Sequence, residues 1–306
     1  MRGDWVLDFK NLDQNKSFLK KESERLGISP TSAYKTYYSR MLLEKISKIN
    51  YGTLVVKGSF SQYVHLKELT RPVLDIDLSS TFDHNISLEL LYRALYEASD
   101  DIINFELTKC PYTTPNGVYK MLINATIKYP NDYKKMIIPI GIDFKENNNA
   151  IFEIQYKPVI PLFKGDNMFF INIPSFEEHI AEKLYIILHN RKTDTLNTRI
   201  KDFYDIYKLH GKDYDSEKFS LYFAAMLLVY KENLENLNTD YLNNDFIDNH
   251  SELWTRMQQK YEFMDKSVNL PETVYYTKAV LNEQLQKLRE GNYLEMAHGL
   301  IRNRQC

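Results

Sequence analysis

Two aspartates, Asp75 and Asp77, stand one residue apart in the otherwise apolar segment 73–78. Alternate side chains of a β-strand lie on the same face, so a strand here would present two neighbouring carboxylates. Carboxylates this close repel each other unless a cation lies between them, and such oxygen ligands suit Mg²⁺ or Mn²⁺. The pair therefore predicts a divalent metal site. The alternative is an edge strand with an acidic, solvent-facing side.

A glycine-serine turn lies upstream of the two acids. Residues 54–57 read as a β-branched, apolar strand that ends with Lys57, and Gly58-Ser59 follow it. Glycine lets the backbone come closer to a neighbour than a Cβ would allow, and exposed N–H groups of such a turn bind phosphate oxygens. The Ser59 hydroxyl and N–H are candidate phosphate ligands, whereas Lys57 either reaches phosphate or points to solvent. Turn and acids together predict a site for a metal–nucleotide complex.

This order of features resembles the nucleotidyltransferase fold that DNA polymerase β shares with many small transferases. Within that fold, it is most similar to the AbiEii toxin family of bacterial abortive-infection and type IV toxin–antitoxin systems, which act in phage defence. The motifs that carry the resemblance are Lys57-Gly58-Ser59, Arg71, Asp75-Ile76-Asp77, Ala181-Glu182-Lys183 and the segment 199–205, RIKDFYD. Because these motifs lie in two separate parts of the chain, the resemblance does not depend on one of them alone.

The resemblance implies a third carboxylate, supplied by a strand next to the Asp-x-Asp strand. Asp143 ends the apolar segment 136–143 and fits this role, with Glu153 as the reserve candidate. Such an acid would ligate one ion and help to deprotonate the attacking hydroxyl. The alternative for Asp143 is an ordinary surface acid at a strand end.

The second matching region implies further catalytic and nucleotide-binding residues. Lys183 carries a compact charge on a flexible stem, which suits triphosphate oxygens, and Arg199 is a second candidate for nucleotide binding. Asp202 and Asp205 stand three residues apart, on one face of a helix, where they would orient Lys183 or Arg199 or hold the ribose. The alternative is that both acids form ordinary helix ion pairs with nearby lysines.

The composition limits the classes of protein that fit. The chain has 306 residues, 43% of them hydrophobic, a formal net charge of −2 and two cysteines, which fits a globular protein of one or two domains without a disulfide framework. The charge argues against a uniformly basic nucleic-acid surface, so contact with RNA would need a local patch. The first residues lack the apolar run of a signal peptide, and no stretch is long enough to cross a membrane. We therefore expect a cytoplasmic protein without a membrane partner.

The periodicity of apolar residues predicts an α+β fold in two domains. Helices are predicted over 13–27, 30–49 and 87–103, the third capped by Ser87, and strands over 104–108, 118–129, 135–144 and 151–156, with turns at 114–117 and 147–149. After residue 175 helices are predicted over 175–190, 199–210, 216–233, 250–265 and 271–289. The result is a nucleotidyltransferase domain over 1–172, with a polymerase-β-like mixed sheet and flanking helices. A C-terminal helical bundle follows over 173–306, and the active cleft is expected between the two.

The combined hypothesis is a toxin that transfers NMP from an NTP to an acceptor. Mg²⁺ or Mn²⁺ ions held by Asp75, Asp77 and Asp143 would activate the acceptor hydroxyl and stabilise the leaving pyrophosphate. The resemblance implies a cognate, AbiEi-like antitoxin protein and, in some relatives, the 3′ end of tRNA as acceptor. Two alternatives stay open, an antibiotic-modifying nucleotidyltransferase and a nucleotide-binding relative without activity.

Overall fold

A mixed β-sheet is the centre of the first part of the chain. The computed structural model describes residues 9–49, 52–80, 84–114, 117–146, 151–189, 199–261 and 264–302. The strands of the sheet are β1 Leu54–Val56, β2 Asp75–Ser80, β3 Ile103–Leu107, β4 Tyr112–Thr113, β5 Val118–Ile127 and β6 Met136–Glu146. Their order is β1-β2-β6-β5-β3, with β4 also beside β5. Strand β2 runs parallel to β6, and the other neighbouring strands are antiparallel.

The alternation of side chains gives the sheet one apolar face. Ile76 of β2, Ile142 of β6 and Met121 of β5 are in register and buried, and Leu78 and Phe144 form the next buried pair. Burying such β-branched and aromatic side chains on one face is what stabilises a sheet of this kind. The opposite face carries the polar residues of the same strands.

The helices of the first unit that lie in the described residues are α1 Leu12–Leu26, α2 Pro30–Ile49, α3 Gly58–Leu66 and α4 His84–Ala98. Helix α2 packs against β2, β6, α1 and α4, and it contributes the buried side chains of Tyr38, Leu42 and Ile46 to the core. The hydroxyl of Thr36 accepts a hydrogen bond from the N–H of Val73 and donates one to the Val73 carbonyl, at 3.1 and 3.2 Å. These two bonds join α2 to the chain just before β2.

A separate two-stranded sheet is formed by β7 Ile154–Val159 and β8 Phe169–Pro174.

The second unit is helical. Its helices are α5 Phe176–His189, α6 Ile200–His210, α7 Ser216–Val229, α8 Asn244–Lys260, α9 Leu270–Glu290 and α10 Tyr293–Arg302. Asp215, Asn243 and Asn269 cap α7, α8 and α9 by accepting backbone N–H bonds. The chain divides into two compact units, Met1–Asn148 with Ile154–Pro174, and Asn149–Glu153 with Ser175–Cys306. The segment 151–153 thus belongs to the helical unit.

The predicted α+β class, with a mixed sheet, flanking helices and C-terminal helices, is confirmed. The prediction for 87–103 was wrong at both ends: α4 begins at His84, and Ile103 already belongs to β3. Ser87 lies inside α4, where its hydroxyl bonds the Ser80 hydroxyl instead of capping the helix. Helix α8 begins earlier than predicted, β7 begins later, and α10 was not predicted. Parts of both predicted turns, 115–116 and 147–149, lie outside the described residues.

None of the helices in the described part of the chain has the length and apolarity that crossing a bilayer requires.

Protonation of His65 is expected to weaken the fold at acidic pH. A ring nitrogen of His65, near the end of α3, bonds the Pro174 carbonyl at 3.0 Å, and burial lowers the pKa of this imidazole to about 4. Since the unfolded value is about 6.5, the folded state binds fewer protons between these values, and stability falls as pH drops from 6.5 to 4, by up to about 3 kcal/mol.

Chemical denaturation between pH 4 and pH 7 measures this loss. His65→Gln should reduce the pH dependence, because the amide keeps a hydrogen-bond donor but does not titrate. The exposed His298→Gln serves as the matched control and should leave the dependence unchanged. An equal loss in the His65→Gln protein and the unaltered protein would contradict the assignment.

Candidate active site

Three aspartates lie together on the polar face of the sheet. The parallel register of β2 and β6 pairs Asp77 with Asp143 and Asp75 with Gly141. Adjacent strands lie about 4.8 Å apart, and residues in register point to the same face, so Asp75, Asp77 and Asp143 form one group, called here the acidic row. The buried positions between them, Ile76 and Ile142, hold the opposite face in the core. The edge-strand alternative was wrong, since β2 lies between β1 and β6.

The turn predicted to approach the acids does so at Gly58. Its φ is +62°, a left-handed value that side chains disfavour, and an added Cβ would lie 1.8 Å from Asp77 Oδ2. The N–H of Lys57 donates to the Asp77 carbonyl at 2.8 Å, which fixes the turn to β2. Helix α3 begins at Gly58 without a side-chain cap, so the positive end of this helix lies against the Asp77 carboxylate.

Ser59 lies in the first turn of α3. Its side chain is buried, and its hydroxyl has no hydrogen-bond partner among the described residues. Buried hydroxyl groups are normally bonded, so this one is suited to a water or a ligand oxygen. Lys57, next to the turn, is half-buried.

One charged residue of this site was missed by the sequence analysis. Lys120 of β5 is in register with Asp143, and its ammonium donates to Asp143 Oδ2 at 2.5 Å. The Asp143 carboxylate, by accepting this hydrogen bond, raises the pKa of Lys120. Lys120 and Asp143 are far apart in the sequence, and no motif joins them. The one local signal is that Lys120 and Met121 are consecutive residues of β5. Their side chains point to opposite faces of the sheet, and since Met121 is buried, Lys120 faces the polar side.

The donor set of the acidic row fits a hard divalent cation. It offers carboxylate oxygens from two adjacent strands, Asp75 is exposed, and Asp77 and Asp143 are half-exposed. The three carboxylates do not form a complete metal site: in the described residues, no group of three or more His, Cys, Asp or Glu side chains is placed so that it could hold one metal ion. One oxygen of Asp143 is shared with Lys120.

The second predicted cluster forms a buried ion network within the helical unit. The Lys183 ammonium of α5 lies 2.7 Å from Asp205 Oδ2 and 3.5 Å from Asp202 Oδ1, both on α6. All three side chains are buried, which is unlike an ordinary surface ion pair. Arg199 approaches the other oxygen of Asp202 at 3.7 Å, and its side chain is 42% exposed. The four side chains carry two charges of each sign and balance one another.

Glu153, the reserve acid, lies outside the strands, because β7 begins at Ile154. It lies in the segment that belongs to the helical unit. Its carboxylate accepts hydrogen bonds from the Tyr222 hydroxyl at 2.5 Å and the Lys218 ammonium at 3.2 Å. Asp143 is therefore the better candidate for the third acid.

Comparisons with known proteins were made on the sequence and on the fold. No curated protein sequence matches the chain. The solved structure of JHP933 from Helicobacter pylori is 17% identical, with a TM-score of 0.40, and the match covers 87% of this chain and 96% of that one. ANT(2")-Ia in complex with adenylyl-2"-tobramycin is 14% identical, with a TM-score of 0.38, over 64% of this chain and 99% of that one. An antigenic nucleotidyltransferase-like protein from Paracoccidioides brasiliensis is 11% identical, with a TM-score of 0.32, over 65% and 78%.

The family of this chain is identified by a match to a protein-family model. The model described as "Nucleotidyl transferase AbiEii toxin, Type IV TA system" matches residues 42–281. This range includes the acidic row, the Gly58 turn and the ion network of Lys183. Because the match covers well over half of the chain, this protein belongs to the AbiEii family of nucleotidyltransferase toxins, as its motifs predicted.

Proposed function

We propose that this chain is a metal-dependent toxin that transfers NMP from an NTP to an acceptor hydroxyl, with release of pyrophosphate. The family supports nucleotidyl transfer in general and implies an NTP substrate and an antitoxin partner. One observation carries the finer proposal: Asp77 and Asp143 are in register on one face with Asp75, and the Gly58 turn lies against Asp77. This arrangement combines a cation site with a phosphate site.

The residues have separate roles in this proposal. The acidic row holds Mg²⁺ or Mn²⁺, which when bound supplies positive charge to the reacting phosphates. The free N–H groups of the first turn of α3 and the hydroxyl of Ser59 bind phosphate oxygens, with Lys57 beside them. Asp143 orients the acceptor hydroxyl and takes its proton, so that the oxygen attacks the α-phosphorus. The bond to the bridging α–β oxygen then breaks, and pyrophosphate leaves.

The ion network of the helical unit is proposed to serve the nucleotide. Asp202 and Asp205 hold Lys183 in one orientation, and the half-exposed Arg199 adds a second cation on the same network. We propose that Lys183 and Arg199 contact the triphosphate, while the two aspartates act as positioning residues.

The proposed acceptor is the 3′ end of tRNA, which a net charge of −2 permits if the contact is local. Lys134, Lys135, Lys157 and Lys164 are exposed and are candidates for that contact, whereas Arg191 and Lys192 lie outside the described residues. Both substrates would be met in the cytoplasm, which is the compartment we propose.

Asp77→Asn is expected to lower nucleotidyl transfer by about 100-fold or more, because it removes a negative ligand at the centre of the acidic row. The assay uses each α-labelled NTP with Mg²⁺ or Mn²⁺ and offers total tRNA, protein extract or aminoglycosides as acceptors. Label on tRNA supports the proposal, and label on an aminoglycoside would favour a small-molecule transferase. The exposed Asp101→Asn is the control with the same charge change. Absence of transfer to every acceptor, with growth inhibition that Asp77→Asn does not relieve, would contradict the proposal.

Gly58→Ala is expected to lower transfer by about 30-fold or more, because its Cβ would lie 1.8 Å from Asp77 Oδ2 and force that carboxylate to move. Gly52→Ala is the matched control, since Gly52 also has a positive φ, +89°, but nothing lies within 4 Å of an added Cβ. Both changes should cost about 1 kcal/mol of stability from backbone strain, Gly58→Ala somewhat more because Asp77 must move, and only Gly58→Ala should reduce activity. Thermal unfolding and the transfer assay measure the two effects. Equal activity of the two variants would argue against the close approach at Asp77.

Lys183→Met is expected to destabilise the protein by about 3–5 kcal/mol, because it leaves Asp205 buried without its cation. The double variant Lys183→Met/Asp205→Asn removes both charges and should recover much of that stability. Denaturant unfolding measures stability, and the transfer assay measures function. If Lys183 contacts the triphosphate, the double variant stays inactive although it is folded. Recovery of activity would show that Lys183 is needed only for folding.

A further inference from the structure

Lys120 lies beside the acidic row, in register with Asp143. The registers run from Lys120 on β5 to Asp143 on β6 and Asp77 on β2, so the three side chains stand side by side on one face. The ammonium of Lys120 lies 2.5 Å from Asp143 Oδ2. It is thus a built-in counterion for Asp143, which has two further carboxylates beside it.

The contact between Lys120 and Asp143 is open to water. Their side chains are 38% and 32% exposed, whereas those of Lys183 and Asp205 are 8% and 0% exposed. An exposed ion pair contributes little to stability and is easily exchanged, because water solvates both charges when they separate. Lysine also carries its charge on a long, flexible stem, so its ammonium moves without any change in the strand.

We propose that Lys120 is a substrate-binding residue that changes partner during nucleotide binding. Without substrate, its ammonium neutralises Asp143. When the cation and the triphosphate occupy the acidic row, Asp143 turns to the cation and the ammonium contacts a phosphate oxygen. This inference rests on the proposed function and adds to it a phosphate-binding residue that lies outside the recognised motifs.

The exchange predicts two effects of opposite sign when the ammonium is removed. A divalent cation alone should bind more tightly, because nothing competes with it for Asp143. A triphosphate should bind more weakly, because it loses a charged contact. If the pair had only a structural role, the expected result would differ. Loss of Lys120 would let Asp143 move and lower the affinity for both ligands, or it would change neither affinity.

The test compares Lys120→Met and Lys120→Gln with Lys128→Met. Lys128 is an exposed lysine just after β5, so its replacement changes the net charge equally without touching the acidic row. Binding of Mn²⁺ alone is followed by the electron paramagnetic resonance signal of the free ion. Binding of inorganic tripolyphosphate in saturating Mn²⁺ is followed by calorimetry, which avoids any choice of base, and thermal unfolding confirms that each variant is folded.

We expect both Lys120 variants to bind Mn²⁺ about 3- to 10-fold more tightly and tripolyphosphate about tenfold or more weakly than the unaltered protein. Lys120→Arg should keep most of the tripolyphosphate affinity, and Lys128→Met should change neither constant. Loss of affinity for both ligands, or no difference from Lys128→Met, would overturn the inference.

Asp77→Asn in the same measurements separates this inference from the proposed function. If the unaltered protein binds Mn²⁺ and Asp77→Asn does not, the proposed metal site stands, whatever Lys120 does. If the unaltered protein and Asp77→Asn bind Mn²⁺ equally poorly, the proposed function and the role of Lys120 fail together.

Discussion

The register between β2 and β6 is the constraint on which the candidate site depends. Because strand side chains alternate, a shift of one residue would turn Asp143 into the core and bring a neighbouring apolar residue to the polar face. The register is held from the other side of the sheet, where Ile76 and Ile142 are buried together. The apolar core thus determines which carboxylates meet.

The arrangement of the three aspartates also depends on nearby positive charge that reduces their mutual repulsion. Three carboxylates on one face would repel one another, and two features of the fold reduce the repulsion. Helix α3 directs its positive end at Asp77 through the close approach of Gly58, and Lys120 lies against Asp143. Both features are supplied by elements that also pack into the core, so the fold itself offsets part of the negative charge of the acidic row.

The helical unit also contains a cluster of opposite charges, but most of this cluster is buried. There, Lys183 is buried with Asp202 and Asp205, and Arg199 completes a neutral set. Burial makes this network costly to break, because a lone charge would be left in a poorly solvated environment. The Lys120–Asp143 pair is open to water and the Lys183–Asp205 pair is buried, although both consist of one lysine and one aspartate.

The sequence alone determined the family and the α+β class, and with the family resemblance it singled out the aspartates of the acidic row and the residues around Lys183 as candidates. It did so because the Asp75-x-Asp77 alternation, the Gly58-Ser59 turn and the spacing of Asp202 and Asp205 are local patterns, readable within a few residues. It failed at Ser87, because α4 begins three residues earlier, at His84, and the Ser87 hydroxyl bonds Ser80 at the end of β2 instead of capping the helix. The pairing of Lys120 with Asp143 was equally invisible, because a cross-strand neighbour is set by register and leaves no trace in local spacing. Only the tertiary structure decided that Lys120 faces the acidic row and that Lys183 is buried with its partners.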